Sequence, residues 1–204
     1  MAGETVRTEV LRVRGLCKSY GSGEGRVEAL KNANLCVYEG ERLVILGSSG
    51  SGKSTLLNII GGVDSPDSGE LWVDGVNICT LKDRALTAYR RDKIGFVFQF
   101  FNLLPDLTAE ENIALIADFS GRSGETGEIM DMMGLSGRKN HYPSQLSGGE
   151  QQRVAISRAL VKHARLLLCD EPTGALDDKT GKQILKVLEQ LVRVQGQTAI
   201  VVTH

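Results

Sequence analysis

Hydrophobic and polar positions in this chain follow different patterns in different stretches. Val10-Leu11-Arg12-Val13-Arg14-Gly15-Leu16 alternates, as a strand with one buried face does. Arg26 to Leu30 is placed to pair with it, and Ala33-Asn34-Leu35-Cys36-Val37-Tyr38 runs to a turn at Glu39-Gly40-Glu41. The turn cluster Ser65-Pro66-Asp67-Ser68-Gly69 precedes another strand, Glu70 to Val73, and a turn at Asp74-Gly75. Arg42-Leu43-Val44-Ile45-Leu46, Leu166-Leu167-Leu168-Cys169 and Thr198-Ala199-Ile200-Val201-Val202 are instead short continuous apolar runs, the pattern of buried parallel strands. Thr55 to Ile60 reads as a helix closed by Gly61-Gly62. Residues 102–145 are helix-like but interrupted, most visibly at the Gly-rich Ser120 to Gly127. A further helix opens at Ser147 and runs to about His163.

Between the first buried strand and the first helix lies Gly47-Ser48-Ser49-Gly50-Ser51-Gly52-Lys53-Ser54-Thr55, which satisfies G-x-x-x-x-G-K-[ST]. Its chemistry depends on that order. Glycines let backbone N–H groups wrap a polyphosphate, and the helix N-terminus adds partial positive charge. Lys53 is expected at the β- and γ-phosphates, and the Ser54 hydroxyl on Mg²⁺. Asp170 and Glu171 end another buried strand, where ligands of parallel sheets bind. Asp170 suits Mg²⁺ held through its water shell, and Glu171 suits a general base for an attacking water.

Ser147 and Glu150 form S-x-x-E, a capping box. Alone it means only a well-started helix. Gly148-Gly149 directly after the cap is poor for helix propensity, which makes sense where bare N–H groups must approach an anion.

At 204 residues, 41% hydrophobic and 24% charged, the chain has the composition of one globular domain. A net charge of −1 argues against a general nucleic-acid binder. No apolar run reaches the roughly 18 residues of a membrane span. Cys17, Cys36, Cys79 and Cys169 lack metal-ligand spacing. Cys36 and Cys169 are expected as small buried hydrophobes, and His141 and His163 as surface residues, in a reduced, cytosolic protein.

Taken together, Gly47 to Thr55, Leu146-Ser147-Gly148-Gly149-Glu150-Gln151-Gln152-Arg153 and Leu166 to Glu171 resemble the Walker A, signature and Walker B motifs of ABC-type ATPases. Pro172-Thr173-Gly174-Ala175-Leu176-Asp177 resembles their D-loop. The resemblance runs from Leu11 to His204. It implies an α/β fold: a P-loop NTPase core with a mostly parallel sheet, a small antiparallel β-subdomain and an inserted helical subdomain. One domain is expected over 1–204, with β-subdomain and core to about 98, helical subdomain about 102–154, and core about 155–204.

It also implies roles. Tyr20 would stack on adenine, Gln99 would touch Mg²⁺ and the attacking water, and His204 would contact the γ-phosphate. Ser147 and Gly149 would reach ATP bound to a second subunit. ATP and Mg²⁺ are the expected cofactors. Partners would be a second ABC ATPase, closing as an ATP-dependent dimer, and a transmembrane permease on a separate chain or a missing region. The protein would sit at the inner face of the cell membrane through that permease.

Phe98 to Pro105 and Glu171 to Asp177 look most like the subset serving lipoprotein release, macrolide export and peptide-antibiotic resistance. A cell-division relative of that subset makes a non-transport ATPase the alternative. The long coiled-coil insertions of DNA-repair relatives have no counterpart in 102–145, which lacks sustained heptads. Phe100, Phe101, Leu103 and Leu104 are candidates either for packing or for a groove that takes a permease helix. Because His204 ends the chain, the resemblance implies a piece of a longer protein, with Thr198 to Val202 exposed as a sheet edge and weak hydrolysis.

Overall fold

The computed structural model describes residues 7–204. Two long strands come first, β1 (Glu9–Tyr20) and β2 (Val27–Tyr38), paired antiparallel. β3 (Arg42–Leu46) leads through the Gly-rich loop into α1 (Lys53–Ile60). Then come β4 (Ser68–Val73), β5 (Val76–Asn77), α2 (Asp83–Lys93) and β6 (Ile94–Val97). α3 (Ala109–Phe119), α4 (Thr126–Met132) and α5 (Gly148–Leu160) make the inserted helical part. β7 (Leu166–Asp170), α6 (Asp178–Gln195) and β8 (Thr198–Thr203) complete the order.

Two four-stranded sheets result. One is antiparallel, in the order β2-β1-β4-β5, and the other runs β3-β8-β7-β6 with every pairing parallel. The period of two decides how the parallel sheet is covered. Leu166 and Leu168 of β7, with Ile200 and Val202 of β8, join the core under α1 and the antiparallel sheet. Leu167, Cys169 and Ala199 face the other way, into the core with Ile113, Val154, Leu160, Ile184 and Leu188. Burial on both faces explains why these strands read as continuous apolar runs.

β3 departs from that expectation. Leu43 and Ile45 pack inward, but Val44 is 55% and Leu46 69% exposed. Among the described residues β3 has one sheet neighbour, β8, so one face is covered and the other is not. The expected exposed edge at Thr198 to Val202 is therefore corrected: β8 lies between β3 and β7, and β3 is the edge.

Alternation corrects a second expectation. Cys169 is buried, but Cys36 is only half-buried. Its neighbour Val37 takes the inward position, which turns Cys36 to the face of Glu9, whose carboxylate lies 3.2 Å from the thiol. His163 is exposed as expected, and its Nε2 lies 2.7 Å from the accepting Glu125 carboxylate.

Two more helices, α2 and α6, pack against these cores. α2 has Asp83 in its first turn and Arg90, Arg91 and Lys93 in its last, matching the helix dipole. Its buried Tyr89 donates a 2.6 Å hydrogen bond to the Ile60 carbonyl at the end of α1. α6 starts on Asp177, which accepts from the Lys179 and Thr180 N–H groups, and stops at Gly196 at φ 63°. Ile184, Leu188 and Val192, four residues apart, bury its inner stripe.

Candidate active site

Four neighbouring parallel strands release the site residues along one edge. Gly47 follows β3, His204 follows β8 and Glu171 follows β7, while Gln99 comes two residues past β6. The register aligns them: Leu46 pairs with Thr203, Val202 with Asp170, and Cys169 with Val97.

The loop from Gly47 to Gly52 turns back on itself with Gly50 at φ 77° and Gly52 at φ 89°, a region closed to most side chains. A Cβ at Gly52 would run into the Ala29 carbonyl of β2. Ser48, Ser49, Gly50 and Ser51 are exposed. Lys53 is only 8% exposed, and its Nζ donates to the carbonyls of Gly47 at 2.7 Å and Ser48 at 2.9 Å. The ammonium is thus held against the loop it belongs to. Thr55, half-buried, lies in the first turn of α1.

Ser54 and Asp170 meet across the site, the Ser54 hydroxyl donating to Asp170 Oδ1 at 2.9 Å. Burial pushes the Asp170 carboxyl upward and the neighbouring Glu171 charge adds to that, with the Ser54 hydrogen bond opposing. Two hard oxygen donors placed together are what Mg²⁺ takes beside phosphate oxygens and water. Among the described residues no cluster of three His, Cys, Asp or Glu side chains forms a self-sufficient metal site. Ser54 and Asp170 therefore fit a metal that shares its shell with substrate.

Glu171 has φ 44°, strained for a non-glycine residue. Its N–H donates to the Val202 carbonyl at 3.0 Å, and its Oε1 lies 2.9 Å from His204 Nε2. Gln99 comes in from the other side. A Cβ added at Gly174 would lie 3.0 Å from Gln99 Nε2 and 3.2 Å from Glu171 Oε2, so glycine there leaves room for both. Tyr20 stands at the end of β1, 43% exposed.

The signature region is built as a helix start. Ser147 Oγ accepts from the Glu150 N–H at 3.3 Å, and Glu150 Oε2 accepts from the Ser147 N–H at 2.8 Å. Arg138 donates to the same carboxylate at 2.7 Å, and Arg138 with the Ser147 N–H holds Glu150 down at about 2. Gly149 is pressed against α6, where a Cβ would meet Thr180 Cγ2 at 2.6 Å. Among the described residues no hydrogen bond joins Ser147 or Gly149 to residues 47–55.

Several contributors carried no motif of their own. Asp64 accepts from Tyr20 Oη at 2.7 Å. The fully buried Gln152 donates to the Pro172 carbonyl at 2.5 Å. Thr180 sets the seat of Gly149. In sequence Gly148-Gly149 pointed to approach by an anion, and the packing of Gly149 on Thr180 and of Gly174 beside Gln99 and Glu171 is visible only in the structure.

A chain with this P-loop, strand-end acid pair and glycine-led signature helix is a nucleotide-hydrolysing cassette. Residues 30–174 match the ABC transporter family model, and the chain belongs to that family. It is 50% identical to an uncharacterised ABC transporter ATP-binding protein, MJ0796, of Methanocaldococcus jannaschii, over 96% of this chain and 87% of that one. It is 49% identical to the lipoprotein-releasing system ATP-binding protein LolD of Geobacter metallireducens, over 97% of this chain and 90% of that one. A macrolide export ATP-binding/permease protein MacB of Rhodopseudomonas palustris is 45% identical over all of this chain, which spans 31% of that protein. A solved dimeric, post-hydrolysis state of MJ0796 bound to ADP and Pi superposes with a TM-score of 0.86 at 48% identity, over 95% of this chain and 88% of that one. The fold and the subset expected from the motifs both agree with these relatives. The chain is an ATP-binding ATPase.

Proposed function

We propose that this ATPase powers a membrane transporter, two cassettes closing on ATP and reopening after hydrolysis. The observation that carries the reading is the divided site. Lys53, Ser54, Asp170, Glu171 and His204 gather at one sheet edge, while Ser147 and Gly149 stand on another helix with, among the described residues, no hydrogen bond to them. A second copy supplies the missing half, in keeping with the dimeric form of the MJ0796 relative.

In this reading Gly47 to Thr55 wrap the triphosphate, Lys53 pairs with its terminal phosphates, and Tyr20 stacks on the base. Ser54, Asp170 and Gln99 would hold Mg²⁺, which offsets phosphate charge when bound. Glu171 accepts a proton as the water oxygen bonds to the γ-phosphorus and the bond to ADP breaks, releasing phosphate. His204 steadies the Glu171 carboxylate and reaches the γ-phosphate. The proposed cassette is one domain with a core and β-subdomain to about 98, helical part 102–154, and core 155–204.

No described helix is long and apolar enough to cross a membrane. A permease is therefore the proposed partner, in line with the names of the LolD and MacB relatives. A cavity of about 240 Å³ between the parallel sheet and the helical part, walled by Phe96, Phe98, Phe101 and Ile116, is the proposed seat for its cytoplasmic helix. Phe100 and Leu104, from the same stretch of chain as Phe101, are 71% and 41% exposed, whereas Leu103 packs against the core. The experiment is co-expression with a candidate four-helix permease sought in the neighbouring reading frame, followed by ATPase and transport assays in vesicles. Transport that requires Glu171 supports the reading. Permease-stimulated hydrolysis without transport of any substrate would move it to the non-transport, cell-division type.

A further inference from the structure

Tyr20 is held on two sides before any base arrives. Its hydroxyl donates to Asp64 Oδ2 at 2.7 Å. Lys18 lies over its ring, with Nζ 5.1 Å from the centroid. That ammonium donates to Asp64 Oδ1 at 2.8 Å and to the Ser65 carbonyl at 2.7 Å. One carboxylate thus grips both the ring's tip and the cation over its face.

Asp64 is itself tied to the phosphate-loop helix. Its N–H and that of Val63 donate to the Asn58 carbonyl in α1, at 3.2 and 2.8 Å. The Ser65 N–H donates to Asp64 Oδ1 at 2.7 Å. A second link runs from Asp67, whose carboxylate accepts from the Ser19 N–H at 2.7 Å while its own N–H donates to the Cys17 carbonyl at 2.9 Å. The end of β1 is therefore fastened to the loop that follows α1.

We infer that Asp64 is a positioning residue for base recognition: it locks the Tyr20 ring in place, seats Lys18 on one face and leaves the opposite face for adenine. The inference rests on Tyr20 being the base platform. An exposed aromatic side chain that must be ordered on binding loses affinity to that ordering, and a ring ordered in advance does not. The cation also adds to the ring's fixity, since an ammonium over a π-face is attracted to it. Because Asp64 hangs from α1, the plane of the base and the phosphate loop share one rigid reference.

The test compares binding of Mg²⁺–ATP with binding of Mg²⁺–tripolyphosphate, which has no base, by calorimetry on the full chain. Tyr20→Phe keeps the ring and removes the hydroxyl, and Asp64→Ala removes the anchor. Each is expected to weaken ATP binding roughly 2- to 10-fold, the cost of ordering one side chain. Neither should change tripolyphosphate binding, and the double variant should be no weaker than either single one. Asp64→Asn, which keeps an acceptor for the hydroxyl, should recover part of the loss. Equal weakening of ATP and tripolyphosphate by Asp64→Ala would mean that Asp64 merely supports the loop, and overturns the inference. If Tyr20→Ala weakens ATP binding while Tyr20→Phe and Asp64→Ala do not, the platform stands and the anchoring role falls. If Tyr20→Ala leaves ATP binding unchanged, the platform reading itself is wrong.

Discussion

The side-chain amide of Gln152, fully buried in the signature helix, donates a 2.5 Å hydrogen bond to the carbonyl of Pro172, the residue directly after Glu171. One bond joins the helix that carries Ser147 and Gly149 to the turn that carries Glu171, the proposed general base. Gln152→Leu keeps the volume and strands the Pro172 carbonyl, a loss of about 1–3 kcal/mol for an unsatisfied buried acceptor. A lower thermal midpoint is expected, with an ATPase rate that falls further than nucleotide affinity does. Calorimetry beside steady-state turnover would measure the two effects.

Glu171→Gln preserves shape and removes the base. Hydrolysis should fall about 10²- to 10⁴-fold while ATP binding persists. Light scattering in ATP should then show a long-lived dimer. Turnover near that of the parent would remove Glu171 from the proposed role.

Gly149 can be tested by a matched pair. Gly149→Ala sets a methyl 2.6 Å from Thr180 Cγ2, and overpacking of this kind costs about 1–3 kcal/mol. ATPase activity should drop with the shift of the helix start. Thr180→Ser removes the opposing methyl, so the double variant should recover activity that the single one lost. No recovery would mean that Gly149 is needed for approach to phosphate and not for this packing alone.

Acid should loosen the same helix start. Arg138 and the Ser147 N–H hold Glu150 from its ordinary 4.5 down to about 2 in the folded chain. A lowered carboxylate stabilises the fold above its ordinary value and loses that contribution as pH falls toward the folded one. The thermal midpoint should therefore decline between about pH 4.5 and 2, and Glu150→Gln should flatten that part of the curve.

The motifs of the candidate site were the most legible part of the sequence, and there is a physical reason. A phosphate loop, a strand-end acid pair and a helix cap each act through neighbours a few positions apart, so Gly47 to Thr55, Asp170-Glu171 and Ser147 to Glu150 stand complete in one line of text. Contacts between distant segments leave no such mark. Asp64 with Tyr20, Gln152 with Pro172 and Thr180 against Gly149 exist only once the sheet has brought their elements together. Face assignment failed for the same reason. Val44 and Leu46 look like Leu167 and Cys169 in composition, but a strand's exposure depends on what lies beside it, and β3 lies at the edge.

The parallel sheet also acts as a ruler. Adjacent strands lie about 4.8 Å apart wherever their backbones are hydrogen-bonded. From the phosphate loop after β3 to Asp170 at the end of β7 is two such steps, with His204 at the end of the intervening strand. The span of the candidate site is thus set by backbone geometry common to all sheets, and side chains only finish it. Slipping β8 by a single residue would displace His204 by about 3.3 Å along the strand and swap its inward and outward faces. The register of β8 thus fixes where His204 stands as firmly as the imidazole fixes what it can do there.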